Sequence, residues 1–346
     1  MPQRLFYGPE WIVLGVNNVC NLHCKMCDVG LGNTDTVFSQ NLVGTSPMNM
    51  PLDLIRHIIN EAANHYPNTK LGYAFTEPLV YPHLVESLEY ANEKGLFTSI
   101  TTNALTLPQK AEALANAGLN EIYVSLDGPE DIHNEIRGHP KSFQKAVEGI
   151  QKLFSLKHRP EVSIFCVITE WNIGYLKAFV EFFQDYPLKE IGFMHTNFTP
   201  DWLAEKHNAK FGGLYAATLS NTGEIDLSKM DLKMLWSEME AIKSMKLNFK
   251  VSFSPEFEHY NGLETFYRHP EIKIGKRCND AFRNVMIKSD GSVIPAHGRC
   301  YNLNVGNIHN QSLASIWNSS QLGQFRKTLN QEGGLLPACS RCCSAF

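Results

Sequence analysis

Apolar positions along the chain alternate between two rhythms. Residues 11–16, Trp-Ile-Val-Leu-Gly-Val, have the composition and length of a buried strand. Behind Pro51, Leu54, Ile55, Ile58, Ile59 and Ala62 recur at helical spacing and predict a helix over 51–66. The exchange then repeats. Strands are predicted at 71–75, 98–101, 121–126, 162–168 and 190–194, and helices at 82–94, 108–117, 142–156 and 173–184. Gly95 and Gly118 stand where a left-handed residue would end two of these helices. Strict alternation predicts an α/β fold of parallel strands joined by right-handed crossovers. Six units can build an open doubly wound sheet or a partial barrel, and periodicity does not separate the two.

Beyond residue 200 the alternation lapses. Residues 29–49, Phe211-Gly212-Gly213 and the stretch around Asn221 read as loops, 230–245 as a helix and 249–253 as a short strand. Residues 285–295 read as a hairpin turning at Asp290-Gly291, with a helix near 313–329 that holds Trp317 and Arg326. The expected organisation is a core over 1–200, a connector over 201–265 that helps shape substrate selectivity, and a C-terminal domain over 266–346.

The 346 residues are 43% hydrophobic and 19% charged, an ordinary globular balance with room for one large and one smaller domain. A net charge of −4 argues against a broad basic surface for nucleic acid. No apolar run approaches the roughly 20 residues needed to span a bilayer. Met1-Pro2-Gln3-Arg4 leads towards the first strand without a signal or transit pattern, so a soluble, cytoplasmic protein with no membrane partner is expected. In a reducing compartment, nine cysteines point to metal or redox chemistry rather than disulfides. Cys166, mid-strand, reads as a small buried hydrophobe. The other eight fall into two groups, near the start and the end of the chain.

The first group is Cys20, Cys24 and Cys27, spaced C-x3-C-x2-C on the loop leaving the first strand. Parallel α/β folds place their chemistry at that end. Three converging thiolates suit an iron–sulfur cluster, and three ligands for four irons leave one iron open. Zinc would need a fourth ligand, and His23 is crowded by its flanking cysteines. A disulfide would leave one thiol unpaired.

This spacing, directly after a first strand, resembles the signature of radical S-adenosylmethionine (SAM) enzymes. The resemblance implies a (β/α)6 partial barrel and a 4Fe–4S cluster whose open iron chelates SAM. Reduced, that cluster cleaves SAM to methionine and a 5′-deoxyadenosyl radical, which takes a hydrogen atom from the substrate. Met26 stands where the family has an aromatic residue near the adenine. Thr76-Glu77-Pro78 resembles the Gly-Gly-Glu-Pro motif, with Phe75 and Thr76 where the two glycines stand, and implies that Glu77 accepts from the SAM ammonium. Ser125 and Asp127 match a Ser-x-Asp-Gly that binds the ribose or lines the pocket. His133 to Gly138 resembles His-Asp-x-Ile-Arg-Gly and makes Arg137 a candidate for the SAM carboxylate. Asn103 is a further pocket candidate, and Asp127 and His195 are candidate acids or bases. Each also has a structural reading: Glu77 as a helix cap, Asp127-Gly128 as a turn, Arg137 as a surface residue, His195 as a satisfied core histidine.

Cys278, the hairpin, Cys300 and Cys339-x2-Cys342-Cys343 resemble the SPASM extension of these enzymes, which binds auxiliary 4Fe–4S clusters. Ala296 stands where that family has a cysteine, and five cysteines stand in place of seven. The resemblance implies one auxiliary cluster on Cys278, Cys300, Cys339 and Cys342, serving as electron relay or structural anchor, with Cys343 spare or exchanging with Cys342. A four-cysteine zinc site is the alternative for this segment.

The implied activity is hydrogen abstraction from an unactivated C–H bond, ending in oxidation, epimerisation or elimination, with a flavodoxin- or ferredoxin-type reductant. Only about ten residues precede the first strand, which leaves no room for the N-terminal peptide-recognition domain frequent in SPASM enzymes. A small polar metabolite of sugar, aminocyclitol or nucleoside type is therefore the expected substrate. A ribosomal peptide is the alternative, and a non-catalytic iron–sulfur or zinc redox sensor is a reading of another class.

Overall fold

A computed structural model describes residues 4–222 and 225–346. β1 (Trp11–Leu14) leads into the cysteine loop, followed by α1 (Val37–Val43) and α2 (Leu52–His65). The alternation continues as β2 (Lys70–Tyr73), α3 (Leu84–Glu93), β3 (Phe97–Thr102), α4 (Leu107–Asn116) and β4 (Glu121–Ser125). Then come α5 (Glu130–Arg137), α6 (Ser142–Ser155), β5 (Glu161–Ile168), α7 (Leu176–Phe182) and β6 (Glu190–His195). The remainder holds α8 (Asp201–Phe211), α9 (Leu232–Lys243), β7 (Lys250–Ser254) and α10 (Tyr260–Arg268). It ends in β8 (Asn284–Ile287), β9 (Ser292–Pro295), β10 (Gly306–Asn307), α11 (Leu313–Trp317) and α12 (Ser320–Gln331).

All ten strands join one sheet in the order β10-β9-β8-β1-β2-β3-β4-β5-β6-β7. From β8 to β7 every neighbour is parallel. From β1 to β7 the strands lie in chain order, with no reversal. A doubly wound sheet needs a reversal to place helices on both faces. Right-handed crossovers in unbroken order keep the helices on one face and leave the other as a concave interior. The core is therefore a partial barrel. β7 adds a seventh parallel strand, and β8 pairs with the opposite side of β1, so the sheet runs through both expected domain boundaries.

The burial pattern follows this two-sided arrangement. Ile12 and Leu14 of β1 are fully buried under the helices, while Trp11 and Val13 face the interior half-buried. Each such fully buried side chain contributes about 1.5–3 kcal/mol. On β5, Val162, Ile164, Cys166 and Ile168 share the helix-facing side, and Cys166 is a buried packing residue there. Among the described residues no helix is long and apolar enough to cross a membrane.

Four helices were not anticipated by periodicity. α1 interrupts the supposed loop over 29–49. It starts at Thr36, whose hydroxyl accepts from Ser39 N, and is tied down by Asn41, which donates to the carbonyls of Gly298 and Cys300. α5 is mostly polar, α8 packs against the turn over Pro337–Cys339, and α10 packs against α9. The single helix expected near 313–329 is two, because the Ser319 side chain caps a fresh start at α12.

Gly192 on β6 makes room for a neighbour: a Cβ there would lie 2.5 Å from the Phe165 ring. Gly192→Ala is expected to cost about 1–3 kcal/mol through overpacking, seen as a lower urea midpoint.

Candidate active site

The cysteine loop is wound tightly enough to need glycine on both sides. A Cβ at Gly30 would lie 2.7 Å from Cys24 N. Gly138 ends α5 at φ 66°, and a Cβ there would lie 2.9 Å from the His23 carbonyl. Lys25 N donates to the Ile136 carbonyl at 2.9 Å, so the end of α5 braces the loop. Cys24 and Met26 are buried with Leu22, Ile136 and Ile225, and Cys20 and Cys27 pack partly buried against them. All three cysteines are free thiols. His23 turns away, its Nδ1 3.3 Å from the Gly30 carbonyl.

Zinc–thiolate bonds of about 2.3 Å would draw sulfurs within roughly 4 Å of one another. Among the described residues, the only three metal-ligating donors within 4.8 Å of each other are those of His297, Cys342 and Cys343. Cys20, Cys24 and Cys27 stand wider than that, yet close enough for their charges to perturb one another. This spread suits a multi-iron cluster better than a single ion. Burial pushes the Cys24 thiol up to about 11, against the opposing pull of Arg137. Ligation must therefore displace protons.

Glu77, at the end of β2, is 1% exposed. Its Oε1 accepts from Leu79 N (2.9 Å) and Thr102 Oγ1 (2.6 Å), and its Oε2 from Asn103 N (2.8 Å). It is both a cap and a clasp on β3. A carboxylate offers about four acceptor positions, so one remains for an ammonium. Burial raises its pKa, outweighing the three hydrogen bonds and the charge of Arg137, which lower it. Asn103 Nδ2 donates to Asn21 Oδ1 at 2.8 Å and lies 3.9 Å from Cys20 Sγ. Ser125 shares the interior face of β4 with Tyr123 and is half-buried.

Asp127 and Arg137 occupy different places from those expected, and His195 takes its structural one. Asp127 is fully buried: Oδ2 accepts from Arg137 Nε (2.5 Å) and Oδ1 from Val167 N (3.0 Å). It braces the β4 and β5 ends rather than offering a free acid or a ribose contact. Arg137 is buried with it, and its Nη1 lies 3.7 Å from Cys24 Sγ, which leaves fewer donors for a SAM carboxylate. His195 shares a face with Ile191 and Phe193, away from the interior. Its Nδ1 meets the Tyr267 hydroxyl at 2.9 Å, among the rings of Phe257 and Phe266. Burial, then Lys243, pushes it down to about 3, so it is a neutral core residue. The motif over His133 to Gly138 gave His133 itself no role; its Nδ1 accepts from Asp127 N (3.0 Å) and its Nε2 meets Ser142 Oγ (2.9 Å).

Cys278, Cys300, Cys339 and Cys342 line one cavity of about 830 Å³, mouth included, and Cys343 does not. Cys300 feels the charge of the other three, Cys278 that of Cys339 and Cys342, and Cys339 that of Cys342. Burial pushes the Cys339 thiol up to about 11. Arg341, within the last cysteine group, donates to the carbonyls of Thr265, Phe266 and His269 at the end of α10, holding that segment against the core. The same cavity reaches Phe38 of α1 and Ser220, whose hydroxyl lies 3.4 Å from Asp28, next to Cys27. Phe75 forms the wall between the two cysteine sets. Its ring stacks on His297 (5.8 Å) and meets Phe38 edge-on (6.4 Å), and both phenylalanines pack with Cys27. Its φ of 87° is unusual for a bulky side chain, at a position where the family motif has glycine.

Asp127→Ala would leave Arg137 buried without its carboxylate. A loss of about 3–5 kcal/mol in urea unfolding is expected, partly recovered by adding Arg137→Met.

Comparison with known proteins agrees with this arrangement. The Radical SAM superfamily model matches residues 15–183, and the SPASM iron-sulfur cluster-binding domain matches residues 278–343. The tungsten-containing aldehyde ferredoxin oxidoreductase cofactor-modifying protein of Pyrococcus furiosus is 23% identical, over 96% of this chain and 87% of its own. The serine-type anaerobic sulfatase-maturating enzyme of Bacteroides thetaiotaomicron is 24% identical, over 92% and 77%. Streptococcus suis SuiB bound to precursor peptide SuiA superposes with a TM-score of 0.64 at 15% identity, over 98% of this chain and 72% of that one. With the cysteine loop at the end of the first strand of a partial barrel and a second cysteine set beside it, the chain belongs to the radical SAM superfamily and is an enzyme of the branch that carries a SPASM domain.

Proposed function

We propose that this enzyme is a maturase that removes a hydrogen atom from a residue of a peptide or protein. The observation that carries the reading is the cavity beside the second cysteine set, which reaches towards the first through Phe38 and Ser220. It is lined by Asn197, Thr199, Thr218 and Ser220, carries Arg299 stacked over Phe38 at 4.3 Å, and among the described residues has no carboxylate in its wall. Neutral amides and hydroxyls suit a polypeptide backbone, and the arginine suits an anionic group on it. The small polar metabolite expected from the sequence gives way here. A sulfatase-maturating relative matches most of the chain, and a structural neighbour is bound to its precursor peptide.

In this reading Cys20, Cys24 and Cys27 hold the catalytic 4Fe–4S cluster, and Cys278, Cys300, Cys339 and Cys342 hold the auxiliary one. Bound and reduced, the first supplies the 5′-deoxyadenosyl radical from SAM. Glu77 turns its remaining acceptor position to the SAM ammonium. Ser125 faces the ribose from β4, and the apolar patch of Met26, Val167 and Trp171 covers the adenine. Asn103 steadies Cys20, and Arg137 holds Cys24 from behind. Electrons enter from a flavodoxin or ferredoxin.

The test is anaerobic reconstitution, followed by dithionite and SAM. The enzyme is expected to bind about eight irons per chain and release 5′-deoxyadenosine, and Cys24→Ala to keep about four irons and release none. Bound zinc with SAM untouched would overturn the enzyme chemistry. Nucleoside release stimulated by sugars, aminocyclitols or nucleosides but by no peptide would overturn the substrate class.

A further inference from the structure

Tyr301 follows Cys300 directly, and its hydroxyl lies 3.1 Å from the Sγ of Cys339. The ring is held on three sides. It stacks on His207 at 5.2 Å with 14° between planes, meets Phe325 edge-on at 5.8 Å and lies 5.9 Å from Tyr215. His207 is itself pinned, its Nε2 2.6 Å from the Tyr215 carbonyl. The phenol is 7% exposed and thus has little access to competing water.

The direction of this hydrogen bond follows from the chemistry of the partner. A cysteine bound to iron is a thiolate and has no proton to give, so the phenol donates. A donor to a cluster sulfur stabilises the more negative, reduced state more than the oxidised one, and hydrogen bonding to sulfur is among the factors that set cluster potentials.

We propose that Tyr301 is a positioning residue that raises the reduction potential of the auxiliary cluster, through a hydrogen bond to its ligand Cys339. The inference rests on the proposed ligand set Cys278, Cys300, Cys339 and Cys342. It makes that cluster a better electron acceptor than its cysteines alone would.

The test uses the full chain carrying Cys20→Ala, Cys24→Ala and Cys27→Ala, so that only the auxiliary cluster is reconstituted, and reads its midpoint potential by redox titration followed by electron paramagnetic resonance. Tyr301→Phe, which keeps the ring and removes the hydroxyl, is expected to move the midpoint to more negative values. Tyr215→Phe, in the same aromatic group but with its hydroxyl on Thr328 at 3.3 Å, is expected to leave it in place. In the Tyr301→Phe protein the exchangeable protons coupled to the reduced cluster, read by electron–nuclear double resonance before and after transfer to deuterated water, should lose one member. An unchanged midpoint with about four irons bound overturns the proposal. So does an unaltered set of exchangeable couplings. A triple alanine variant that takes up no iron overturns the auxiliary-cluster assignment itself.

Discussion

β8 lies beside β1 in parallel register, and the function depends on that pairing. Trp11 to Leu14 match Asn284 to Ile287 residue for residue, and Gly15 N extends the ladder to the Ile287 carbonyl at 2.9 Å. A strand from the far end of the chain thereby becomes a neighbour of the strand that launches the first cysteine loop. The hairpin β8–β9 then delivers Ala296, His297 and Cys300 to the side of the barrel where Cys27 sits. Parallel pairs are buried and non-local, so this contact stands on apolar packing from both chain ends.

Around that junction, polar groups are held in place by the cost of leaving them unpaired. Asp127, Arg137 and His133 form a buried group that ties the β4 end to α5 and, through Arg137, α5 to Cys24 of the cysteine loop. Glu77 performs the same service between β2 and β3. Residues that look like ligand contacts in a linear motif are therefore also the framework of the pocket. Removing one partner exposes the other to the full desolvation penalty, which is why the motif residues act on stability as well as on binding.

The thiols have a related economy. Burial raises the pKa of Cys20, Cys24, Cys278, Cys300 and Cys339, so without metal these groups are held neutral in apolar surroundings. Iron ligation converts them to thiolates and releases protons, coupling cluster assembly to pH and to the packing of both chain ends.

Much of this was legible in the residues. The strand–helix rhythm, the C-x3-C-x2-C spacing and the clustering of the last five cysteines are local patterns, and local patterns report periodicity and ligand chemistry directly. Cys166 read correctly as a packing residue because alternation on β5 is itself local. What the sequence could not decide depends on contacts between distant segments. Barrel versus doubly wound sheet turns on strand order, which periodicity does not encode. Whether His195 is an acid or base or a core histidine turns on Tyr267, Phe257 and Phe266, which only the fold brings to it. Asp127 was assigned to the pocket because a motif names a residue and not its partner, and only the fold brings Arg137 to it. Helix α1 is short and weak in isolation, and forms where Asn41 finds carbonyls more than 250 residues away. Sequence alone determined which chemistry the chain carries, and tertiary structure decided which of its polar groups are free to take part, because burial and pairing are properties of neighbours in space.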